Sequence, residues 1–540
     1  MLAGLAAIAI RLPLLGVPLD ADEGGYAYLA RRWAGGSRLY GAAWVDRPQA
    51  LLVGYRLVTD LGRSRIWIHL AAIGLALLLL AAVASAGWAL AGRRAAVFGA
   101  FLVAIVGAAP HLQGFMFNGE LAAGAFSASA VAGAAWYLRR GNGWLLVLAG
   151  GFGAIALLMK QSGFDGLLTA LVCAVAVGQD GVAERATVAE RDRLAEPATV
   201  AERDTVPERD TLPERDTVPE RDTLPRRDRD GRAASRIPLT GRSRAVAAVL
   251  LGAAGPLGLA ALHAALTSWR DWWFAVVGYR LHTSAGSRGG LSGRWHNLTA
   301  GLPRLWPDLL PLGVLGLAGL ALCLVRRGWA PASRPAAASP SRRWSPAGWL
   351  PVSWLVLAFL GFFGGVFFFP HYWMQLVGPL CLLGALALAA LPPRAATCLL
   401  VVACLPCLLW TARASVASPD RRDRLAVPDP RLLANRDIGP WLRQHAAADD
   451  QLYAFVSAAD LYYSTGLHTD FRYLWQANLE AIPGALGELR DYLAGPDRPR
   501  WVVLYQHPSA IDPTGAIGRT LATDYRTVTV IDGYPILHVR

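Results

Sequence analysis

Apolar runs long enough to cross a membrane recur along most of this chain. A helix of about 20 apolar residues spans a bilayer core. By that rule, spans are predicted at residues 2–19, 66–91, 95–110, 120–138, 144–160, 163–178, 245–267, 306–325, 347–369, 372–391 and 396–412. The first span contains Arg11 and Pro13, so either Arg11 extends to water along its stem or the natural start of the chain differs. The pattern predicts an α-helical polytopic membrane protein with about 11 transmembrane helices.

Between the sixth and seventh predicted spans the pattern changes to a polar repeat. The unit Glu-Arg-Asp-Thr-Val/Leu-Pro recurs at a six-residue period, as in Glu202 to Pro207 and Glu208 to Pro213. Proline at every sixth position prevents a long helix. Alternating charges with few aromatic residues cannot form a core. We expect residues 179–244 to be a disordered cytoplasmic insert without a catalytic role.

The chain becomes polar after about Ser415 and keeps only short apolar runs. Four of these runs are typical of buried strands: 451–456, 501–505, 527–530 and 536–539. Helices are predicted near 438–446 and 485–493. Residues 413–540 should therefore form a small α/β domain, and an odd number of spans places that domain outside the cytoplasm.

Arginine supplies almost all of the net charge of +13 and indicates the topology. With the amino terminus inside, the short basic connections all fall on the cytoplasmic side, as the positive-inside rule requires: Arg93-Arg94, Arg139-Arg140, Arg326-Arg327, Arg342-Arg343 and Arg394. The first outer loop and the outer loop at 268–305 are basic as well. Either these outer loops need cations to bind phosphate, or the predicted assignment of loops to the two sides of the membrane is wrong.

These patterns divide the chain into four parts. The predicted parts are a transmembrane catalytic module at 1–178, the insert at 179–244, further transmembrane helices at 245–412, and the terminal domain at 413–540. The six cysteines all lie in apolar runs, without disulfide or zinc spacing. No Walker loop, dinucleotide fingerprint or nucleophile elbow is present. We expect no nucleic-acid partner, and the positive charge favours anionic lipid instead.

Three carboxylates within four residues mark the outer end of the first span: Asp20, Asp22 and Glu23. Ionisable groups at such a position are costly and require a reason. Transfer of a sugar to a hydroxyl needs a carboxylate to take the acceptor proton and a cation to hold the departing phosphate. A carboxylate cluster can take the acceptor proton directly, or it can bind a divalent metal that holds the departing phosphate. The alternative is an acidic loop whose side chains are merely solvated.

The sequence around these carboxylates is similar to the first extracytoplasmic loop of the GT-C superfamily of membrane glycosyltransferases. That superfamily includes the protein O-mannosyltransferases and the aminoarabinose transferases of lipid A. The similar residues are Asp22-Glu23-Gly24-x-Tyr26, Gly36-x-x-Leu39-Tyr40 and Asp46-Arg47-Pro48. The resemblance implies two short interfacial helices, with Asp22 as the catalytic base and Glu23 as its partner. Arg47 departs from the usual lysine, and Gln49 from a usual second proline.

Two further candidates lie at the outer ends of later spans. Glu120 resembles the second acidic position of the superfamily, which helps to bind metal or acceptor; a helix N-terminal glutamate favoured by the macrodipole is the alternative. Asp20 and Glu120 are thus predicted to bind acceptor or metal, and Asp22 and Glu120 are the candidate metal ligands. Lys160, the only lysine of the chain, could meet a lipid phosphate or simply anchor its helix at the interface.

Basic residues of two other segments are candidates for binding the donor phosphate. Arg280, His282 and Arg288 lie in the glycine- and arginine-rich outer loop, and arginine gives bidentate contacts to phosphate. Ordinary surface charge is the alternative for each of them. His371, in Phe369-Pro370-His371-Tyr372-Trp373, resembles the aromatic-basic junction of the superfamily. An interfacial aromatic belt explains Tyr372 and Trp373 equally well.

The resemblance implies a glycosyltransferase of the plasma membrane that uses a polyprenyl-phosphate sugar lipid. Its acceptor would be a hydroxyl of a glycan, lipid or protein on the extracytoplasmic face, with or without a divalent metal ion. Missing nucleotide motifs fit a donor carried on lipid. Two other classes stay open: a lipid-linked sugar flippase, expected to carry mid-membrane charges and repeated halves, and a membrane-anchored binding protein that works through its terminal domain.

Overall fold

The computed structural model describes residues 1–176, 241–285, 290–325 and 346–540. Up to residue 176 the chain forms α1 (Leu2–Arg11), α2 (Ala21–Ala34), α3 (Gln49–Leu61), α4 (Arg65–Ala91), α5 (Arg93–Val106), α6 (Gly119–Arg140), α7 (Trp144–Met159) and α8 (Asp165–Ala176). The membrane part continues with α9 (Gly241–Thr267), α10 (Trp269–Trp273), a π-helical turn (Phe274–Gly278), α11 (Tyr279–Ala285), α12 (Leu291–Val325), α13 (Pro346–Phe363), α14 (Met374–Ala389) and α15 (Pro393–Val416).

Six of the described helical segments are long and apolar enough to cross a membrane. They are α4, α6, α9, α12, α15 and the segment Pro370–Ala389, which is α14 with its preceding 3₁₀ turn. The shorter apolar helices α1, α7, α8 and α13 coincide with further predicted spans. The predicted helical, polytopic membrane protein is thus confirmed, while the number of crossings stays a prediction.

The segment predicted as an outer loop at 268–305 is largely helical in the structure. It contains α10, the π-helical turn, α11 and the beginning of α12, which starts at Leu291. Three prolines lie inside α12, at Pro303, Pro307 and Pro311. Proline usually interrupts a helix, but membrane helices tolerate it when neighbouring groups satisfy the freed carbonyls. The apolar pattern alone therefore does not predict the length of α12.

The low-complexity insert predicted at 179–244 lies outside the described residues, except for 241–244, which begin α9. The basic connections Arg326-Arg327 and Arg342-Arg343 lie outside them as well. The predictions made for these segments stay predictions.

Arg11 is buried inside the membrane part and does not extend to water. Its side chain is 2% exposed. The guanidinium donates to the carbonyl of Gly107 at 2.7 Å and to that of Gly114 at 3.1 Å. It also donates to the carbonyls of Ala7 and Ala104. Because a buried cation needs hydrogen-bond partners, these carbonyls fix α1 against the end of α5 and the segment that follows it.

The terminal domain contains a four-stranded mixed sheet. It begins with α16 (Pro419–Ala426) and α17 (Pro430–His445) and continues with β1 (Leu452–Phe455), α18 (Asp460–Thr465), α19 (Gln476–Ala481), α20 (Ala485–Ala494), β2 (Trp501–Leu504), α21 (Ala516–Asp524), β3 (Tyr525–Ile531) and β4 (Tyr534–Val539). The strand order is β1-β2-β4-β3, with β1 and β2 parallel and the other pairs antiparallel. All four predicted strands and the small α/β domain are confirmed.

The terminal domain packs directly on α2. A Cβ on Gly24 would overlap the backbone of Asp460 in α18, and a Cβ on Gly25 would overlap the ring of Trp475. Glycine is unfavourable inside a helix. At these two positions the absence of a side chain allows α2 to approach the terminal domain more closely than any other residue would permit. This contact brings the start of α2, with its carboxylates, under the terminal domain.

Candidate active site

The three carboxylates at the start of α2 have different surroundings. Asp20 caps the helix: its side chain accepts the N–H of Asp22 at 3.0 Å, and Glu23 in return accepts the N–H of Asp20 at 3.2 Å, which completes a capping box. Glu23 also accepts the N–H of Phe117 at 2.7 Å and lies 3.6 Å from Nε2 of His69. Glu23 is therefore buried, with two backbone N–H groups and the His69 imidazole around its carboxylate. The side chain of Asp22, in contrast, is 25% exposed.

Asp22 faces a cluster of polar and cationic groups. The hydroxyl of Tyr26 donates to its Oδ2 at 3.2 Å. Nη2 of Arg47 lies 3.9 Å from the same oxygen, and Nε2 of His371 lies 4.0 Å from it. The carboxylate is thus held on one side by its own helix and faces the guanidinium of Arg47 and the imidazole of His371 on the other.

His371 stands between Asp22 and the second predicted carboxylate. Its Nε2 is 3.8 Å from Oε1 of Glu120, and its Nδ1 is 2.8 Å from the amide oxygen of Gln113. The ammonium group of Lys160 contacts Oε1 of Glu120 and lies 3.7 Å from the centre of the Tyr372 ring. The first turn of α6, the end of α7 and the 3₁₀ turn before α14 therefore meet at one point.

A second ion cluster centres on Asp46. Nη1 of Arg47 lies 2.7 Å from Oδ2 of Asp46, and the guanidinium of Arg280 contacts the same oxygen. Burial alone would raise the pKa of Asp46, but Arg280 and Arg47 outweigh burial and hold that pKa below its ordinary value. Two guanidinium groups thus share one ionised carboxylate, which leaves local positive charge.

These side chains surround a cavity of about 550 Å³, here called the main cavity. The volume is within the range of roughly 300–1,000 Å³ that is usual for ligand pockets. A second cavity of about 200 Å³, here called the side groove, has apolar walls that include Phe164, Leu360 and Phe362. Arg280 and Tyr372 line both cavities. A cationic and an aromatic side chain therefore lie between the main cavity and the less polar side groove.

Most of the residues predicted from the sequence meet around these two cavities. The main cavity is lined by Asp20, Asp22, Arg280 and His371, and Lys160 lines the side groove. Glu120 is 2% exposed and contacts the cavities only through His371 and Lys160. Glu23 lies behind Asp22 and lines neither cavity.

The structure does not bring His282 to these cavities. His282 is exposed, with Nδ1 2.8 Å from the carbonyl oxygen of Gly278. It follows Arg280 by two residues on α11, and residues two apart do not share a helix face. Arg288 lies outside the described residues.

Several residues of the site were not predicted as site residues. Asp46 and Arg47 belong to the loop motif, and their adjacent opposite charges were the available sequence signal. Tyr26 also belongs to the loop motif, whereas Gln113 carried no signal. The terminal domain contributes a further set, here called the roof: Asp429, Arg431, Ser457, Trp475, Gln476, Asn478, Glu480 and Gln506. Nothing in the sequence connects these ordinary polar residues with a loop more than 380 positions earlier.

The predicted metal ligands do not fit a divalent ion. Within the described ranges, no three His, Cys, Asp or Glu side chains are grouped so that they could hold a metal. Glu120 has the ammonium group of Lys160 on the oxygen that a metal would use. Asp22 faces Arg47 and His371. A divalent ion between Asp22 and Glu120 would therefore lie close to the guanidinium of Arg47 and the ammonium group of Lys160, and we assign no metal ligand.

Solved structures share this architecture over nearly the whole chain. ArnT from Cupriavidus metallidurans in the apo state matches with a TM-score of 0.60 at 14% identity, covering 99% of this chain and 97% of that one. ArnT bound to undecaprenyl phosphate matches with a TM-score of 0.55 at 15% identity and the same coverage. This chain therefore shares the fold of these two ArnT structures.

The archaeal oligosaccharyltransferase AglB shares the same fold with a lower TM-score. The AglB of Archaeoglobus fulgidus, in complex with an inhibitory peptide and a dolichol-phosphate, matches with a TM-score of 0.51 at 12% identity, over 93% of this chain and 68% of that one. No protein-family model matches the chain, and no curated protein sequence matches it significantly. At the level of the fold, the resemblance carried by Asp22 to Pro48 is confirmed.

Proposed function

We propose that this protein is an integral-membrane glycosyltransferase that moves a sugar from a polyprenyl-phosphate donor to an acceptor hydroxyl. The observation that carries the proposal is the position of Asp22 in the main cavity, next to Arg47 and close to Arg280. A positioned carboxylate can take the acceptor proton. Fixed cations in a site shielded from water can stabilise the phosphate that leaves. The site supplies both groups within one cavity.

The side groove supports a donor carried on lipid. Its walls are largely apolar, but its lining also includes Lys160, Gln161 and Arg280, and Arg280 lines the main cavity as well. A polyprenyl chain along those walls would leave its phosphate between Lys160 and Arg280, with the sugar in the main cavity. Among proteins of this fold, ArnT has been solved with undecaprenyl phosphate and AglB with a dolichol-phosphate.

The geometry suggests a single displacement at the anomeric carbon. Asp22 takes the proton of the acceptor hydroxyl, and the acceptor oxygen forms a bond to that carbon. The bond between the anomeric carbon and the phosphate oxygen breaks, and inversion of configuration follows. Arg280, Arg47 and Lys160 stabilise the charge on the departing phosphate. His371, between the two carboxylates, keeps Asp22 close to the cationic side.

The cavity and the terminal domain are proposed to lie on the extracytoplasmic face. Support comes from the order of the elements: α2 follows the first apolar helix at once, and the terminal domain packs on α2. The connection with Arg139 and Arg140 lies at the opposite end of α6 from Glu120. The positive-inside rule places such a connection in the cytoplasm.

Replacement of the proposed base is the direct test. In purified full-length protein, Asp22→Asn should lower transfer of radiolabelled sugar from a polyprenyl-phosphate donor by about 100- to 10,000-fold, the usual contribution of a general base. Binding of undecaprenyl phosphate should persist, since the cations are unchanged. Asp60→Asn, at an exposed position at the end of α3, is the matched control and should keep full activity.

Full activity of Asp22→Asn would remove the base from the mechanism. The rival function, movement of lipid-linked sugars across the membrane, is separated in the same preparation after reconstitution into proteoliposomes. Translocation of the labelled lipid without any transfer of its sugar would favour a flippase.

A further inference from the structure

The roof of the main cavity belongs entirely to the terminal domain, opposite the cations of the membrane part. We propose that this roof binds the acceptor, and that the acceptor is a neutral, hydroxyl-rich carbohydrate. The inference rests on the proposed glycosyl transfer, because it takes Asp22 to be the base. It assigns a substrate class to the terminal domain.

The roof lies at the edge of the sheet where α/β domains commonly bind ligands. The strands β1 and β2 are parallel neighbours, so their carboxyl ends lie at the same edge. Ser457 comes two residues after β1, and Gln506 comes two residues after β2; both line the main cavity. Ligands of open α/β sheets bind outside these carboxyl ends.

The turn after β1 has a strained backbone. Val456 and Ser457 both have a φ of 71°, a left-handed conformation that is especially unfavourable for a β-branched residue such as valine. Such conformations persist where the surrounding structure imposes them, and they cluster at ligand sites. Oγ of Ser457 accepts the N–H of Gln476 at 2.7 Å. The strained turn thereby fixes the start of α19 over the cavity.

Asn478, on α19, is a buried polar side chain with unused hydrogen-bonding capacity. It is 2% exposed and lines the main cavity. The amide group of Asn478 lies within hydrogen-bonding reach of the Tyr279 hydroxyl, but within the described residues its amide oxygen has no hydrogen-bond partner, and neither has Nε1 of Trp475. A buried polar atom without a partner is costly. A hydroxyl group donating to the amide oxygen of Asn478 would remove that cost.

The charge of the roof selects against an anionic acceptor. Arg431 makes two hydrogen bonds to Asp429, at 2.6 and 3.0 Å, so these charges compensate each other. Glu480 accepts from Gln476 at 2.8 Å. Among the roof residues that the structure describes, no unpaired cation is present to hold a phosphate or carboxylate.

The remaining groups of the roof suit sugar hydroxyls. Gln476, Asn478, Gln506 and Ser457 offer amide and hydroxyl groups, which both donate and accept. The ring of Trp475 lies 5.6 Å from that of Tyr26, whose hydroxyl donates to Asp22. A sugar held by the roof would therefore present a hydroxyl toward Asp22, opposite the donor phosphate.

Binding to glycans by the full-length protein in nanodiscs tests this inference. The probes are neutral hexose and pentose oligosaccharides, phosphorylated or uronic-acid oligosaccharides, and serine- and threonine-containing peptides. We expect binding to the neutral oligosaccharides alone. Asn478→Ala and Gln506→Ala should each weaken that binding by about tenfold or more, while Gln444→Ala, at an exposed position of α17, should not change it.

Undecaprenyl phosphate binding by the same samples keeps the two proposals apart. The roof variants should bind this lipid as well as the unchanged protein does, which also shows that they are folded. Preference for peptides or anionic glycans, or unchanged glycan binding by both roof variants, would overturn the inference and leave the transferase proposal intact. Absence of undecaprenyl phosphate binding by the unchanged protein would instead count against the transferase proposal.

Discussion

At the scale of single residues, the surroundings of Asp22 and Glu23 indicate different roles for these two carboxylates. Asp22 and Glu23 are adjacent in sequence, and the family resemblance treats them as one catalytic pair. In the structure only Asp22 opens to the main cavity. Glu23 accepts two backbone N–H groups and lies beside His69. Its position fits a residue that orients the start of α2 and thereby Asp22.

The variant Glu23→Gln tests whether Glu23 acts by orienting the start of α2 or through its negative charge. Glutamine can also close a capping box, so we expect transfer to fall by no more than about tenfold, far less than in Asp22→Asn. The measurement is the sugar-transfer assay, with thermal unfolding of the same samples to show that the cap survives. A loss as large as that of Asp22→Asn, in a stable variant, would show that the negative charge of Glu23 takes part in the reaction.

The sequence predicted those site residues whose type is unusual for their place. Asp22, Lys160 and His371 are ionisable groups at the ends of apolar runs, and such groups are rare unless they have a function. Asn478 and Gln506 are ordinary polar residues of a soluble domain. Only the folded contact between that domain and α2 brings them to the cavity, and no local pattern records it.

At the scale of elements, the apolar runs predicted the helices well because about 20 apolar residues have few alternatives to a membrane helix. The strands of the terminal domain were predictable for a similar reason, since short buried runs such as Trp501–Tyr505 were bounded by polar residues. The helical residues at 269–285 and 291–305 were missed because their charges and prolines resemble those of a loop. These residues are helical because of their packing in the folded protein, which the local sequence pattern does not show.

The contact between α2 and α18 can be tested with one methyl group. Gly24→Ala would force the methyl into the backbone of Asp460, so we expect the terminal domain to be displaced, with a cost of about 1–3 kcal/mol from overpacking. The apparent melting temperature and the transfer rate should both fall. Gly487→Ala is the matched control: this helical glycine in α20 has open space around its Cβ position.

The control should be neutral or slightly stabilising, because alanine is favoured over glycine in helices by roughly 1 kcal/mol. Equal behaviour of the two alanine variants would mean that α2 and α18 are not closely packed in the working protein.

At the scale of the whole molecule, a group of acids lies where the terminal domain meets the membrane part. Asp460 is 5% exposed, and both of its carboxylate oxygens accept from Asn435. Burial raises the pKa of Asp460 to about 7. Burial, together with the nearby charge of Asp22, also raises the pKa of Asp20. Ionisation of these acids is therefore unfavourable in the folded protein.

Stability should consequently fall as the pH rises. The pKa of Asp460 is higher in the folded protein than its ordinary value of 3.8, so the folded state binds more protons between that value and about 7. The stabilisation is complete below this window and lost above it. We expect a melting temperature several degrees lower at pH 8 than at pH 5.

Asp460→Asn should reduce this pH dependence, leaving the part due to Asp20. Asp491→Asn, at an exposed site of α20, should leave it unchanged. Thermal unfolding of the detergent-solubilised variants at both pH values is the measurement. A wild-type protein that is more stable at pH 8 would contradict the assignment.

The burial of Arg11 has a consequence for biosynthesis. The guanidinium of α1 finds its carbonyl partner Gly114 only 103 positions later in the chain. At a synthesis rate of about 5–20 residues per second, roughly 5–20 s pass before that partner has been made. During this interval the guanidinium of the nascent first helix has only the carbonyl of Ala7 as a partner, so α1 reaches its final packing only after the segment with Gly107 and Gly114 has been made.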